Sequence, residues 1–271
     1  MRKDFALNRE NKEDHTIRRK PPVVPGIDPA PVVDGTTGDG ERAAALREYY
    51  GGKQFEFGWA SLCKMSVPDG LEGKTVLDIG CRRGRGVYKL SERVGATGRA
   101  IGVDWGRTFV EEAAEWSAHA ASKSGLSVNN MAFALAFPED LAAAGIEDGS
   151  VDVVWVNSVV NLFCDQEAGL REMARVLRSG GLLVCETVTA DVPRDPRVVE
   201  GAKAIGNSVQ AAPLREDFLA MLAEAGFEVV ETFESHAVAV DEGFKPDYKV
   251  ETVASDEACT FTAEVVHAVK R

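Results

Sequence analysis

The strongest constraint on the fold of this chain comes from residues 75–86, TVLDIGCRRGRG. The run begins as a mostly apolar segment with Asp78 near its end, which predicts a buried strand. Gly80 and Gly84 then interrupt the strand, and a helical pattern follows over residues 86–94. A strand, a glycine-rich turn and a helix in this order build a site for the polar end of a cofactor, because a backbone without Cβ atoms can approach a ligand closely.

A second acid, Asp104, ends the next predicted strand, residues 99–104. A carboxylate at this place can accept both hydroxyls of a ribose. The dinucleotide fingerprint G-x-G-x-x-G is not met, because its second glycine falls on Arg82 and a start at Gly84 puts Lys89 in the third place. The pattern therefore indicates a nucleoside-containing cofactor and argues against a nicotinamide oxidoreductase.

Predicted strands and helices alternate along the rest of the chain. This alternation predicts an α/β fold with a doubly wound, Rossmann-like and mostly parallel sheet. The final two strands have no helix between them, so we expect an antiparallel last strand. The predicted strands cover residues 131–136, 151–156, 182–186, 228–239 and 260–269, and the helices cover 108–123, 166–177 (ended by the glycines at 180 and 181) and 215–225.

Residues 1–40 differ from the rest of the chain, because they are polar, then proline-rich and then glycine-rich. We expect them to be an extended or disordered N-terminal arm. Alternatively, the arm covers the active site or a partner subunit, in which case a homodimer could form through it. Residues 41–271 are expected to be one domain, with a small cap formed by 41–70 and 190–214.

The overall charge and the cysteines restrict the partners. The chain carries 31 Lys and Arg against 43 Asp and Glu, a net charge of −12, which disfavours nucleic acid. It contains no long apolar run and no secretory leader, so we expect no membrane span and a cytoplasmic location. The five cysteines are scattered, so neither a disulfide framework nor a metal site is expected.

Several segments carry a closer likeness. They are residues 144–162, residues 170–181, the tripeptide Tyr49-Tyr50-Gly51 and the segment 206–212. Together with the strand ends at Asp78 and Asp104, they resemble class I S-adenosylmethionine-dependent methyltransferases, and within these the arsenite methyltransferase branch. The resemblance covers roughly residues 46–235 and implies S-adenosylmethionine as cofactor and a small-molecule substrate.

The resemblance also implies roles for individual residues. Those expected to hold the methionine end, the ribose, the adenine and the sulfonium are, in that order, Asp78, Gly80, Cys81 and Gly84, then Asp104, then Trp105, Phe137 and Glu139, and finally Asn157. Arg82 lies in the same turn and is counted with the cofactor-binding residues. Those expected to face the substrate are Tyr50, Ser158, Asn161, Cys164 and Ser208.

The chain departs from the resembled pattern at the metalloid-binding positions. Ser158 and Ser208 stand where that branch has cysteines, and Cys63 is the one upstream candidate for a remnant. A serine hydroxyl is a poor ligand for arsenic(III), which prefers soft thiolates. We therefore expect the methyl acceptor to be a thiol or another soft nucleophile rather than arsenite. Cys164 is either an inert buried thiol or a soft ligand of the substrate.

A second departure lies in the glycine-rich turn. Arg82 replaces a glycine, and Gly86 replaces an acid that would meet the amino group of the cofactor. Either Arg82 and Arg85 point to solvent, which we expect, or the site takes an altered cofactor or an anionic substrate. The alternative function is a catalytically silent relative that binds a nucleoside-like ligand or serves as a structural subunit.

Overall fold

The computed structural model describes residues 20–51, 65–238, 250 and 258–271. The described strands are β1 (Val32–Asp34), β2 (Thr75–Ile79), β3 (Arg99–Asp104), β4 (Met131–Leu135), β5 (Val151–Asn157), β6 (Leu177–Ala190), β7 (Phe227–Val238) and β8 (Phe261–Lys270). The described helices are α1 (Glu41–Tyr50), α2 (Arg85–Val94), α3 (Arg107–Lys123), α4 (Gln166–Val176), α5 (Pro196–Ile205) and α6 (Arg215–Glu224).

The strands form a single sheet, eight-stranded within the described ranges, in the order β1-β4-β3-β2-β5-β6-β8-β7. The pairs from β1 to β6 are parallel. Strand β8 lies antiparallel between β6 and β7. The predicted doubly wound sheet with an antiparallel last strand is confirmed.

Both faces of the sheet are covered, which is why its central strands read as continuous apolar runs. On one face, α2 and α3 contribute Val87, Leu90 and Val110 to a core around Val76 and Trp155. On the other face, α4 and α6 bury their apolar sides against β2, β5 and β6. The carboxyl ends of β4, β3, β2, β5 and β6 therefore meet at one edge of the sheet, where ligands bind in such folds.

The C-terminal end of α4 differs from the prediction. The helix ends at Val176, and Leu177 is already extended and pairs with Val151. Gly180 has a φ of 71°, but it lies in a turn within β6, after which pairing resumes at Leu182. The glycine therefore makes a local bulge in the strand and does not terminate the helix.

Two described elements were not predicted. Residues 32–34 of the arm form β1, which extends the sheet beside β4. The described part of the arm, residues 20–40, is thus extended along this chain's own sheet, and a homodimer through the arm stays a prediction. Helix α5 begins at Pro196, with the Asp195 carboxylate accepting the N–H of Arg197 at 2.9 Å as an N-cap.

Some expectations concern residues that are not described or features that are absent. Residues 52–64 of the expected cap, Cys63 included, and residues 1–19 of the expected arm lie outside the described residues. None of the helices in the described ranges is both long and apolar enough to span a membrane. The described side chains include no cluster of three or more His, Cys, Asp or Glu that could hold a metal ion.

Candidate functional site

Asp78 and Asp104 end the adjacent parallel strands β2 and β3, and both carboxylates are buried. The turn after β2 is tied to β3, because the N–H groups of Gly80 and Cys81 donate to the carbonyl of Val103 at 2.8 and 3.0 Å. Gly80 has a φ of 80°, and a Cβ there would lie 2.7 Å from the Val159 side chain. The position therefore requires glycine for both conformation and space.

Cys81 and Gly84 contribute to this turn through their backbones. The thiol of Cys81 is buried in the core between β2, β3 and α2, and burial raises its pKa well above the usual value. Gly84, with a φ of 77°, is the residue from which α2 begins. A Cβ at Gly84 would lie 2.9 Å from the ring of Tyr88. Both residues shape the turn, and neither offers a reactive side chain to a ligand.

Gly86 has a role that differs from the sequence interpretation. It lies in the first turn of α2, and a Cβ there would overlap Asp78 Oδ2 and lie 2.6 Å from the Trp155 ring. The missing side chain therefore makes room for the carboxylate of Asp78. The acid that was expected at position 86 is not lost from the site, because Asp78 supplies a carboxylate at this place.

The carboxylate of Asp78 is strongly perturbed by its surroundings. Its Oδ2 is buried and has no hydrogen-bond partner among the described residues. Burial raises the pKa of Asp78 well above its usual range, and the charge of Asp104 raises it further. A buried carboxylate oxygen without a donor is costly unless a ligand supplies one. The position fits the ammonium group of a bound ligand.

Asp104 is buried as well, but its oxygens are partly occupied. Oδ2 accepts the N–H of Arg82 at 2.9 Å, and Oδ1 accepts the N–H of Gly106 at 2.8 Å. Burial raises the pKa of Asp104, opposed by these two N–H groups, by the Arg82 charge and by the N–H of Trp105. A carboxylate has about four acceptor positions, so these three donors leave room for a ribose hydroxyl.

The expectation that Arg82 and Arg85 point to solvent is wrong for Arg82, whereas Arg85 is exposed. Arg82 is half-buried, its φ is +48°, and its guanidinium carbon lies 5.6 Å from the ring centre of Phe109. A left-handed backbone costs a non-glycine residue roughly 1–2 kcal/mol, which the hydrogen bond to Asp104 offsets. The cation therefore lies beside the Asp104 carboxylate and partly neutralises it.

Aromatic residues gather at the carboxyl end of β4. The ring of Tyr50 lies between Trp105, at 4.6 Å, and Phe137, at 5.2 Å and nearly parallel to it. The Tyr50 hydroxyl donates to Glu139 Oε1 at 2.8 Å and accepts the N–H of Cys164 at 3.1 Å. Tyr50 was predicted to face the substrate, but the structure places it among the residues predicted for the adenine.

Glu139 has the same unusual feature as Asp78. Oε1 accepts Tyr50 and, at 3.1 Å, the N–H of Asp165, whereas Oε2 is buried with no hydrogen-bond partner in the described ranges. Burial raises the pKa of Glu139, and the hydrogen bonds to Oε1 act against this. The unpaired oxygen fits an amino group such as that of adenine.

Asn157 and Ser158 end β5, at the centre of the sheet. The Asn157 amide donates to Glu186 Oε2 at 3.3 Å, and the N–H of Ser158 donates to the carbonyl of Glu186 at 2.7 Å. Ser158 has a φ of 57°. Strained backbone of this kind persists where the surroundings hold it, and it clusters at functional sites.

Asn161 has a different role from the predicted contact with substrate. Its amide group donates to the carbonyls of Val188 and Ser208 at 2.8 and 2.9 Å, and its oxygen accepts Thr187 Oγ1 at 3.1 Å. With both amide hydrogens used, the side chain ties β6 to the segment that carries Ser208. Ser208 itself is buried, and Cys164 is half-buried beside Tyr50.

Glu186 was missed by the sequence analysis. Its carboxylate is completely buried on β6 and accepts the backbone N–H groups of Met65 and Ser66 as well as Asn157. The signal was present, because an acid near the carboxyl end of an apolar strand is the feature that singled out Asp78 and Asp104.

The chain was compared with known proteins. A methyltransferase domain family matches residues 71–226, more than half of the chain. The arsenite methyltransferase of Mus musculus is 39% identical over 49% of this chain and 36% of its own length, and that of Aquipseudomonas alcaligenes is 33% identical over 66% and 51%. The chain thus spans about half or less of these curated relatives.

A solved structure agrees with this assignment. The arsenic(III) S-adenosylmethionine methyltransferase of Chlamydomonas reinhardtii matches with a TM-score of 0.66 and 28% identity, over 77% of this chain and 67% of that one. The carboxyl-end site described above lies within the matched family region. The chain therefore belongs to the methyltransferase domain family, as a class I S-adenosylmethionine-dependent methyltransferase domain similar to arsenite methyltransferases.

Proposed function

We propose that this chain transfers a methyl group from S-adenosylmethionine to a small-molecule acceptor, a thiol or another soft nucleophile. The observation that carries the proposal is a row of three buried acids. Asp78 and Asp104 lie at the carboxyl ends of the neighbouring strands β2 and β3, and Glu139 follows β4, the next strand in the sheet. Asp78 and Glu139, the outer two, each keep one oxygen without a hydrogen-bond partner among the described residues. S-adenosylmethionine carries an ammonium group at one end, ribose hydroxyls in the middle and the adenine amino group at the other end.

Each acid has a distinct part in this proposal. Asp78 would accept the ammonium group, Asp104 the ribose hydroxyls and Glu139 the adenine amino group. Bound S-adenosylmethionine supplies a methyl group made electrophilic by the sulfonium. The protein's contribution is then to fix this methyl and the acceptor in line, which can supply at best about 7–11 kcal/mol of the barrier.

The residues around the proposed methyl acceptor suit a nucleophile that does not have to lose a proton. A dedicated base is required only when the nucleophile must lose a proton. Glu186, the buried carboxylate beside Asn157, already accepts three donors and has little capacity left to act as a base. A thiolate, which is already ionised, suits such a site.

Arsenite is not the acceptor in this proposal. The relatives' names refer to arsenite, but Ser158 and Ser208 stand where the resemblance places cysteines. The test is incubation with arsenite, a thiol and S-adenosylmethionine, followed by speciation of arsenic. We expect no methylarsenicals, and multiple turnovers of methylated arsenic would contradict the assignment.

The decisive experiment is calorimetric titration with S-adenosylmethionine and S-adenosylhomocysteine, followed by methyl-transfer assays on a panel of small thiols with methyl-labelled cofactor. We expect saturable binding of both nucleosides and labelled product with at least one thiol. Failure to bind either nucleoside would contradict the proposal. Binding without transfer to any acceptor would favour the catalytically silent alternative.

A further inference from the structure

The dipeptide Met65-Ser66 has all four backbone polar groups held by side chains. Both N–H groups donate to the carboxylate of Glu186, one to each oxygen. The Met65 carbonyl accepts Lys89 Nζ at 2.8 Å, and the Ser66 carbonyl accepts Trp155 Nε1 at 2.8 Å. Side chains from β6, α2 and β5 thus fix two residues that belong to no helix or strand.

Glu186 also accepts hydrogen bonds from the residues at the end of β5. Met65 and Ser158 have positive φ values of 58° and 57°. The N–H of Met65 donates to the Glu186 carboxylate, and that of Ser158 donates to its carbonyl. Asn157, the residue before Ser158, donates to the carboxylate as well. A positive φ in a non-glycine residue persists only where its surroundings hold it, so Glu186 is the common support of both strained residues.

The residues that Glu186 holds at the end of β5 are also linked to the glycine-rich turn after β2. Val159 follows Ser158, and its side chain packs against Gly80, where an added Cβ would come within 2.7 Å. The close approach means that a shift of Ser158 or Val159 must move the turn at Gly80 or open a gap there. The hydrogen bonds of Glu186 therefore affect both the residues at the end of β5 and the glycine-rich turn after β2.

We infer that Glu186 is a positioning residue, which holds Met65-Ser66, Asn157 and the turn at Ser158 as one unit around the site where the methyl group is transferred. The inference rests on the proposed function. Glu186 does not itself contact cofactor or acceptor in this role, because its two oxygens are taken by protein donors.

Glutamine is the informative replacement at this position. It keeps the length of glutamate but has one acceptor oxygen, and its amino group would face one of the two backbone N–H donors. One end of the Met65-Ser66 dipeptide should then detach. The matched control is Glu264→Gln on the neighbouring strand β8, where a buried carboxylate binds Arg215 at 3.1 Å and accepts the Thr189 hydroxyl.

The experiment uses the full chain and two readouts. The first is S-adenosylhomocysteine affinity by calorimetry. The second is solvent exchange of the Trp155 indole N–H, assigned in the NMR spectrum with Trp155→Phe. For Glu186→Gln we expect affinity to fall tenfold or more and indole exchange to accelerate at least tenfold. For Glu264→Gln we expect a lower melting temperature, with affinity and indole exchange within twofold of the wild type.

Each other outcome overturns the inference in a recognisable way. Unchanged indole exchange in Glu186→Gln means that the carboxylate does not hold the dipeptide. Faster exchange with unchanged affinity means that it holds the dipeptide without positioning the site. An equal loss of affinity in both variants means general destabilisation. If the wild type binds no S-adenosylhomocysteine, the proposed function fails, and the positioning role fails with it, whereas indole exchange still reports on the dipeptide contacts.

Discussion

The carboxylate of Asp78 occupies the space that a side chain at Gly86 would fill. Gly86 lies on α2 and Asp78 near the end of β2, so the helix approaches the strand closely at the one place where the acid needs room. The glycine that looked in the sequence like the loss of a cofactor-binding acid is the residue that admits Asp78 to the site.

Gly86→Ala is therefore expected to destabilise the protein and to weaken cofactor binding. The added methyl would overlap Asp78 Oδ2 and the Trp155 ring, and such overpacking costs about 1–3 kcal/mol. Thermal unfolding and titration with S-adenosylhomocysteine measure both effects. Gly38→Ala is the control, because its Cβ would make only an ordinary contact of 3.6 Å with Ala43. Equal melting temperatures of the two variants would contradict the packing argument.

Asp104→Ala should weaken S-adenosylhomocysteine binding at least tenfold, or about 1.4 kcal/mol, the size of a lost charge-assisted hydrogen bond. The variant removes the acceptor proposed for the ribose and also releases the N–H groups of Arg82 and Gly106. Asp152→Ala is the control, since this acid pairs with Arg178 at the opposite end of the sheet. Unchanged affinity in Asp104→Ala would rule out the ribose assignment.

The central strands could be predicted from the sequence because the apolar pattern of each strand is visible within its own segment. Strands such as β2 and β3 are largely buried and read as mostly apolar runs, and the acids at their carboxyl ends, Asp78 and Asp104, break that pattern visibly. Strand β1 was missed because it is three residues long and lies in a proline-rich arm. What makes it a strand is its pairing with β4, about a hundred residues further along the chain.

The parts of the site that escaped prediction depend on contacts between distant residues. Tyr50 lies among the residues predicted for the adenine because Glu139 and Cys164 bind its hydroxyl. Asn161 is committed to Val188 and Ser208, which its own neighbourhood in the sequence does not reveal. The guanidinium of Arg82 lies over the ring of Phe109 on α3, and its charge acts on Asp104. No local pattern encodes these pairings.

Glu139→Gln should change the preference for the base of the nucleoside. The unpaired Oε2 of Glu139 accepts from an amino group, whereas a glutamine can place its own amino group there while its oxygen keeps the Tyr50 hydroxyl. We expect S-adenosylhomocysteine to bind at least tenfold more weakly and S-inosylhomocysteine, which has a carbonyl in place of the amino group, to bind more tightly than to the wild type.

Calorimetric titration with S-adenosylhomocysteine and with S-inosylhomocysteine measures this change in base preference. Glu228→Gln is the control, since Glu228 lies at the start of the edge strand β7 and pairs with Arg271 at 3.5 Å. If Glu139→Gln lowers the affinity for both nucleosides equally, the residue supports the structure around Tyr50 and does not distinguish between the bases.

Asp78 should make folding stability and cofactor affinity depend on pH in opposite directions. In the unfolded chain an aspartate ionises near pH 3.8, and burial raises the folded pKa of Asp78 well above that value. Between the two pKa values the folded chain binds more protons than the unfolded one, so the contribution of Asp78 to stability falls as pH rises through this window. Asp78→Asn should remove that fall and raise the melting temperature of the ligand-free protein at neutral pH.

Folding without a ligand favours the protonated form of the Asp78 carboxylate, whereas ligand binding should favour its ionised form. An ammonium group against Oδ2 favours the ionised acid, so S-adenosylmethionine should bind more tightly as pH rises through the window and should release protons on binding. Proton release is measured from the dependence of the binding enthalpy on the ionisation enthalpy of the buffer. Because Asp104 is buried beside Asp78 with its own raised pKa, the comparison is between Asp78→Asn and Asp104→Asn. We expect the release to be lost in the first variant and retained in the second, and the reverse result would assign the ammonium group to Asp104.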